Sequence, residues 1–193
     1  MAKLYFRYGV MGSSKSAQAL ITKFNYEEQG MRVWLMKPAA DTRYGADKVH
    51  SRIGLEQPAD VIDDDMDLYE VFRDREREFY DVIIVDEAQF LQPAHVEQLR
   101  EIVDYYNVPV FCFGLRTDFR TRLFPGSARL FELADSVTEL KTVCTCGGKA
   151  MVNARIDAEG KVVTEGEQFL LGGNESYRPM CYKCWKLKSK SEK

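Results

Sequence analysis

Short apolar runs alternate with segments of helical periodicity along the first two-thirds of the chain, which predicts βα units around a largely parallel sheet. Residues 4–8 read as the first strand. A helix follows over 15–29, with Ala17, Leu20, Ile21 and Phe24 as its apolar stripe and Gly30 as its stop. Residues 33–36 predict a second strand, closed by Lys37 and Pro38, and the polar stretch 41–54 predicts a long loop. An amphipathic helix is expected over 68–79 and a buried strand over 81–86. Pro93 suits the first position of a helix running to Tyr106, where its missing N–H has no partner to lose. A core strand over 108–114 is followed by an Arg-rich loop to Gly126, a helix over 128–134 and a last strand over 137–143.

The pattern changes after Val143. Two cysteines and two glycines precede short β-like segments at 150–156 and 161–163, then a polar, Gly-rich loop and a second cysteine pair. The expected division is therefore an α/β domain over 1–143, a small cysteine-bearing domain over 144–185 and a tail over 186–193. That tail holds Lys186, Lys188, Lys190 and Lys193 and is expected to be solvated and disordered.

Composition narrows the class. With 193 residues, 45% hydrophobic, the chain can bury a sizeable core. Its 27 basic against 30 acidic residues leave a net charge of −3, without the basic balance expected of a duplex-binding protein. The longest apolar runs, such as residues 82–85, fall far short of the roughly 20 residues of a membrane span. The N-terminus lacks the apolar core of a signal peptide, so a cytoplasmic protein away from membranes is expected. A reducing compartment makes the five cysteines metal ligands or free thiols rather than disulfides. Cys112, inside an apolar strand, reads as plain core.

Gly9-Val10-Met11-Gly12-Ser13-Ser14-Lys15-Ser16 follows a predicted strand and opens a predicted helix. A phosphate-binding loop needs that context: backbone N–H groups and a helix N-terminus facing the anion, a lysine on the outer phosphates and a hydroxyl on Mg²⁺. Gly9, Lys15 and Ser16 match the pattern G-x-x-x-x-G-K-[ST]. Ser14 stands where glycine is expected, at a cost of about 1 kcal/mol if the position needs a positive φ. An ordinary βα turn is the alternative. Residues 82–85 then deliver Asp86 and Glu87 at the end of a buried run, the form of a Walker B strand. Asp86 would hold the Mg²⁺, and Glu87 would be free for proton transfer to a substrate hydroxyl. A strand ending in a solvated acidic turn is the alternative there.

Cys144, Cys146, Cys181 and Cys184 supply four thiolates, a full tetrahedral set for structural Zn²⁺, against the alternative of two pairs of free thiols. A metal at these positions would tether residues 147–180 as a closed loop, the form of a lid over a site.

Together, the Met11-bearing phosphate loop, Asp86-Glu87-Ala88-Gln89-Phe90, Gly114-Leu115-Arg116-Thr117-Asp118-Phe119, and Gly172-Gly173-Asn174-Glu175-Ser176-Tyr177 ahead of Cys181 resemble the thymidine kinases of the cytosolic, zinc-containing class. The resemblance covers Leu4 to about Trp185. It implies a RecA-like P-loop domain with a mostly parallel central sheet, plus a zinc-ribbon-like domain whose lasso loop closes over the nucleoside. The implied reaction carries the γ-phosphoryl of ATP to the 5′-hydroxyl of thymidine, with Mg²⁺. Glu87 resembles the family's catalytic base. Gly9, Met11, Gly12, Ser13, Ser14, Lys15 and Ser16 would cradle the nucleotide phosphates with Asp86, and Arg43, with Asp41 nearby, resembles the phosphate-facing arginine. Met11, Gln89, Phe90, Leu115, Phe119, Phe124 and Tyr177 would line the nucleoside pocket, and backbone groups at Leu170, Leu171 and Gly172 would read the thymine edge. A homotetramer and feedback inhibition by thymidine triphosphate are also implied. Without the resemblance, Phe90, Leu115, Phe119 and Phe124 read as core, and Arg116, Arg120 and Arg122 as a surface charge run. Two readings compete: a nucleotide-binding protein with little or no catalysis because of Ser14, and a P-loop ATPase gripping nucleic acid through its zinc module.

Overall fold

The computed structural model describes residues 1–42, 45, 47–74, 80–168 and 176–189. Six strands form the central sheet: β1 (Leu4–Tyr8), β2 (Val33–Pro38), β5 (Asp60–Ile62), β6 (Val82–Val85), β7 (Val110–Gly114) and β8 (Ser136–Glu139). Their order is β5-β2-β6-β7-β1-β8 and every pair is parallel. One strand, β7, separates β1 from β6, as in a RecA-like sheet. Register brings Tyr8 level with Gly114, and Val85 level with Cys112. The carboxyl ends of β1, β6 and β7 therefore open at one edge, where ligands of open α/β sheets gather.

Helices cover both faces, which is why the central strands read as continuous apolar runs rather than alternating ones. On one face Leu4, Phe6, Ile83, Val85, Val110 and Cys112 pack with α3 (Pro93–Tyr106), α4 (Pro125–Leu133) and α2 (Leu68–Asp74) through Val96, Leu99, Leu130, Leu68 and Phe72. On the other, Leu35, Val82, Ile84, Phe111 and Phe113 pack with Ala19 and Leu20 of α1 (Lys15–Glu27) and with Val49. Cys112 is fully buried, and burial pushes its thiol pKa far above the ordinary range.

A second, antiparallel sheet has the order β10-β9-β11, from β9 (Val152–Ile156), β10 (Val162–Val163) and β11 (Tyr177–Met180). Its small core contains Ala150, Ala154, Val162, Met180 and Cys144, and also Val10 from the phosphate loop.

Several elements depart from the sequence expectation. The loop expected over 41–54 carries β3 (Lys48–His50), which pairs antiparallel with β4 (Glu56–Pro58) as a hairpin. The last strand ends at Glu139 rather than 143, because its partner β1 ends at Tyr8, whose carbonyl accepts one further N–H, from Leu140. α4 starts at Pro125 and takes in Gly126, which had marked the end of a loop. A Cβ on Gly126 would lie 2.6 Å from the Leu91 carbonyl oxygen and 2.8 Å from that of Ala88, so glycine permits this close approach. The α1 stripe is half right: Ala17 and Leu20 are buried, whereas Ile21 and Phe24 are 46% and 58% exposed. The helix expected over 68–79 is helical over Leu68–Asp74, and 75–79 lie outside the described residues. Lys186 to Ser189, expected in the tail, belong to α5 (Tyr182–Ser189); 190–193 are outside the described residues.

Candidate active site

The phosphate loop leaves β1 with Gly9 donating its N–H to the Gly114 carbonyl at 3.2 Å. A Cβ on Gly9 would meet Ser13 Oγ at 2.3 Å and the Leu140 carbonyl oxygen at 2.5 Å, so the loop closes tightly here. Ser13 is buried, with its N–H directed to the Val10 carbonyl. Ser14 caps α1 from the left-handed region, φ 61° and ψ 25°, without a side-chain capping bond. The position thus needs the conformation that favours glycine, and serine occupies it. The Lys15 ammonium is folded back onto the Val10 carbonyl at 2.9 Å, 7% exposed.

The end of β6 places two carboxylates side by side with different surroundings. Asp86 is 4% exposed, and its Oδ1 has no hydrogen-bond partner. Burial, and then the neighbouring Glu87, push its pKa up to about 7, against a hydrogen bond from the Ser16 hydroxyl and the Lys15 charge. A buried carboxylate oxygen without a partner, next to a hydroxyl, is a donor set that fits a hard divalent cation. Glu87 turns into the left-handed region at φ 51° and opens a short 3₁₀ turn, Ala88–Phe90. Gln89 lies in that turn, 1% exposed. Its amide nitrogen donates to Glu87 Oε2 at 2.5 Å, and its oxygen accepts from the Leu115 N–H at 2.9 Å. Gln89 therefore holds the Glu87 carboxylate.

A cavity of about 240 Å³ lies over these groups, lined by Met11, Gly12, Ser14, Lys15, Ser16, Asp41, Asp86, Glu87 and Leu115 among the residues expected from the sequence. Lys37 and the hairpin residues His50, Arg52 and Ile53 line it as well. Lys37, 1% exposed, pairs with Asp41 at 3.0 Å and donates to the carbonyls of Gly45 at 3.0 Å and Lys48 at 3.2 Å. Arg120 is paired with Asp118, and Arg116, Arg120 and Arg122 are absent from the cavity lining. Arg43, Leu170, Leu171 and Gly172 lie outside the described residues.

The expected nucleoside-pocket aromatics divide into two groups. Phe90 and Phe124 meet edge to face at 5.7 Å. Phe119 is fully buried beneath the Arg155 guanidinium, which sits 3.7 Å from its ring centre. Arg155 also donates to the Tyr177 hydroxyl at 2.6 and 3.0 Å and to the Glu167 carbonyl at 2.9 Å. Two places along β9, Asn153 is 2% exposed; its Oδ1 accepts from the Met11 N–H at 2.7 Å and its amide donates to the Thr117 carbonyl at 3.2 Å. Asn153 and Arg155 were missed in the sequence. The available signal was their period-two alternation with Val152 and Ala154, which sets both polar residues on one face of a strand.

The four paired cysteines converge, their sulfur atoms all within 4.8 Å of one another. Cys146 and Cys181 sulfurs are 3.7 Å apart, against about 3.8 Å for sulfurs sharing a tetrahedral zinc at 2.3 Å. Backbone N–H groups of Cys146 and Cys181 lower the Cys144 pKa to about 6, while hydrogen bonds with the neighbouring sulfurs of Cys181 and Cys146 push Cys184 up to about 12. A divalent cation held by these four sulfurs would resolve that crowding by drawing all four to the thiolate. Gly147, at φ +83°, makes the tight turn between the Cys144–Cys146 pair and the sheet.

A family model described as thymidine kinase matches residues 2–185. The thymidine kinase of Enterobacteria phage T4 is 48% identical over 187 residues, 96% of each chain. That of Legionella pneumophila (strain Lens) is 48% identical over 183 residues, 94% of this chain and 88% of its own. That of Shewanella oneidensis is 47% identical over 184 residues, 95% and 96% respectively. Because these matches run through the parallel sheet and the cysteine-bearing sheet alike, the chain belongs to the thymidine kinase family.

Proposed function

We propose that this protein transfers the γ-phosphoryl group of ATP to the 5′-hydroxyl of thymidine, forming thymidine monophosphate in nucleotide salvage. The observation that carries the proposal is the cavity in which Lys15, Ser16 and Asp86 stand beside Glu87 and Leu115. The first three suit a polyphosphate, and the last two suit an acceptor.

In this reading, residues 9–16 wrap the donor phosphates, with Asp41 and Arg43 nearby. Lys15 exchanges its Val10 carbonyl for a phosphate oxygen. Ser16 and Asp86 would hold Mg²⁺, which supplies charge neutralisation on the phosphates when bound. Glu87 accepts the proton of the 5′-hydroxyl, and Gln89 fixes the carboxylate that does so. Catalysis then rests on positioning and charge stabilisation, with no covalent intermediate. Met11, Phe90, Leu115, Phe119, Phe124 and Tyr177 enclose the base, and main-chain groups of Leu170, Leu171 and Gly172 read its edge. Main-chain readers reject a mismatched edge strongly, because they would be left unpaired. The thymine methyl adds only about 1–3 kcal/mol, so deoxyuridine is a weaker substrate. Cys144, Cys146, Cys181 and Cys184 would hold a structural Zn²⁺.

The exposed Ile21 and Phe24 on α1 support self-association, for which the family expectation is a tetramer. Inhibition by thymidine triphosphate, the end product carrying both ligands' features, belongs to the same proposal, as does cytoplasmic location. No helix among the described residues is long and apolar enough to cross a membrane. A nucleic-acid-dependent ATPase is disfavoured by the net charge of −3.

The test is thymidine monophosphate formation from ATP–Mg²⁺ and thymidine by the zinc-replete protein, with Glu87→Gln beside it. The parent is expected to form product, and the variant to retain ATP binding while losing about 10²–10⁴-fold in kcat. Nucleotide binding without product in the parent would favour the non-catalytic reading, and parental turnover in Glu87→Gln would remove Glu87 as the base.

A further inference from the structure

We infer that Arg52, at the tip of the β3–β4 hairpin, is a catalytic guanidinium that acts on the phosphoryl group in transfer. The inference rests on the kinase reading above and adds a residue to its machinery.

The groups lining the cavity have different commitments. Lys37 is held by Asp41 and two carbonyls, Lys15 by the Val10 carbonyl, and His50 faces Glu56 at 3.2 Å. Arg52 lines the same space and, among the described residues, has no hydrogen-bond or ion-pair partner. It enters from the hairpin, whereas Lys15, Ser16, Asp86 and Glu87 enter from the sheet edge. Arg52 shares its cavity with both Lys15, on the donor side of the proposed reaction, and Glu87, its proposed base.

The hairpin holds the Arg52 backbone while leaving its side chain uncommitted. Ser51, 2% exposed, closes the tip: its hydroxyl donates to the Leu55 carbonyl at 3.1 Å and accepts the Leu55 N–H at 3.0 Å. The Ser51 N–H reaches the same carbonyl at 2.8 Å, and the Gly54 N–H reaches the Ser51 carbonyl at 3.0 Å. At the base, Val49 is buried against α1 and β2, and Lys37 clamps the Gly45 and Lys48 carbonyls. Phosphoryl transfer spreads negative charge over three equatorial oxygens, and a planar, permanently charged guanidinium in the same cavity stabilises that spread.

Arg52→Ala and Arg52→Lys in the full chain test this. With ATP–Mg²⁺ and thymidine, Arg52→Ala should lose at least about tenfold in kcat, with the thymidine KM within about twofold of the parent. Arg52→Lys should recover part of the loss, and added guanidinium ion should raise the rate of the alanine variant but not of the parent. Unchanged urea unfolding midpoints would locate the effect in the chemistry rather than the fold. A kcat within about twofold of the parent, or a raised ATP KM with kcat unchanged, would overturn the inference. An inactive parent would overturn the kinase reading itself, whereas an active parent matched by Arg52→Ala would remove Arg52 alone.

Discussion

Ser14 shows how much one backbone angle can decide. Its φ of 61° places an L-residue in the left-handed region, at a cost of about 1–2 kcal/mol that glycine does not incur. Glycine's greater freedom in the unfolded chain returns about 0.5–1 kcal/mol of that difference. Ser14→Gly should therefore raise unfolding free energy by about 0.5–1 kcal/mol in urea titration. A loss of stability would instead mean that the serine side chain holds the loop. The departure from the phosphate-loop pattern was visible in the sequence, but whether it mattered depended on φ. Gln89 makes the same point: its place in the acidic segment marked it for the site, and only the fold shows that its buried side chain also hydrogen-bonds Glu87.

Among the elements, the apolar strand runs and the longer helices were readable, and the short polar hairpin was not. α3 was legible from Pro93, and its start holds a detail beyond pattern. His95, 3% exposed, accepts the Gln92 N–H through Nδ1 at 3.3 Å, completing a reciprocal cap. Burial lowers its pKa, while a hydrogen bond to the Met66 backbone and the Asp64 and Asp67 charges pull the other way. The folded state thus favours neutral His95 more than the unfolded chain does. Its contribution is complete above about pH 6.5 and declines as pH falls below that value toward the lowered folded pKa. His95→Gln, which can still cap, should flatten that part of the stability–pH profile measured by urea unfolding between pH 5 and 7. An unchanged slope would assign the loss to other groups. The β3–β4 hairpin, by contrast, has three-residue strands with one buried apolar residue, Val49, too little for a period to register.

At the scale of the molecule, the two sheets share a loop. Val10 is buried in the small sheet's core, and Asn153 of that sheet bonds the Met11 N–H and the Thr117 carbonyl. The cysteine cluster closes a core of few buried side chains, so the phosphate loop borrows rigidity from whatever holds the cysteines. Elemental analysis should find about one zinc per chain, and Cys181→Ser with Cys184→Ser should remove it. The same variant should raise the ATP KM while leaving most far-ultraviolet signal of the parallel sheet and its helices. Zinc retained in the double variant would place the metal elsewhere, and an unchanged ATP KM would uncouple the two sheets.

What the sequence determined by itself is whatever rests on local order: the apolar runs of the parallel strands, the strand–loop–helix setting of Lys15, the carboxylates ending β6 and the two cysteine pairs. These survive translation into sequence because each is set by a period or by neighbours a few residues apart. The tertiary structure alone decided what depends on distant segments meeting. Asn153 reaches the phosphate loop from 142 residues away, Arg155 lies across Phe119, and Lys37 anchors a hairpin that brings Arg52 over the site. A buried polar residue declares its purpose through partners supplied by another part of the chain, and that information is absent from its own neighbourhood.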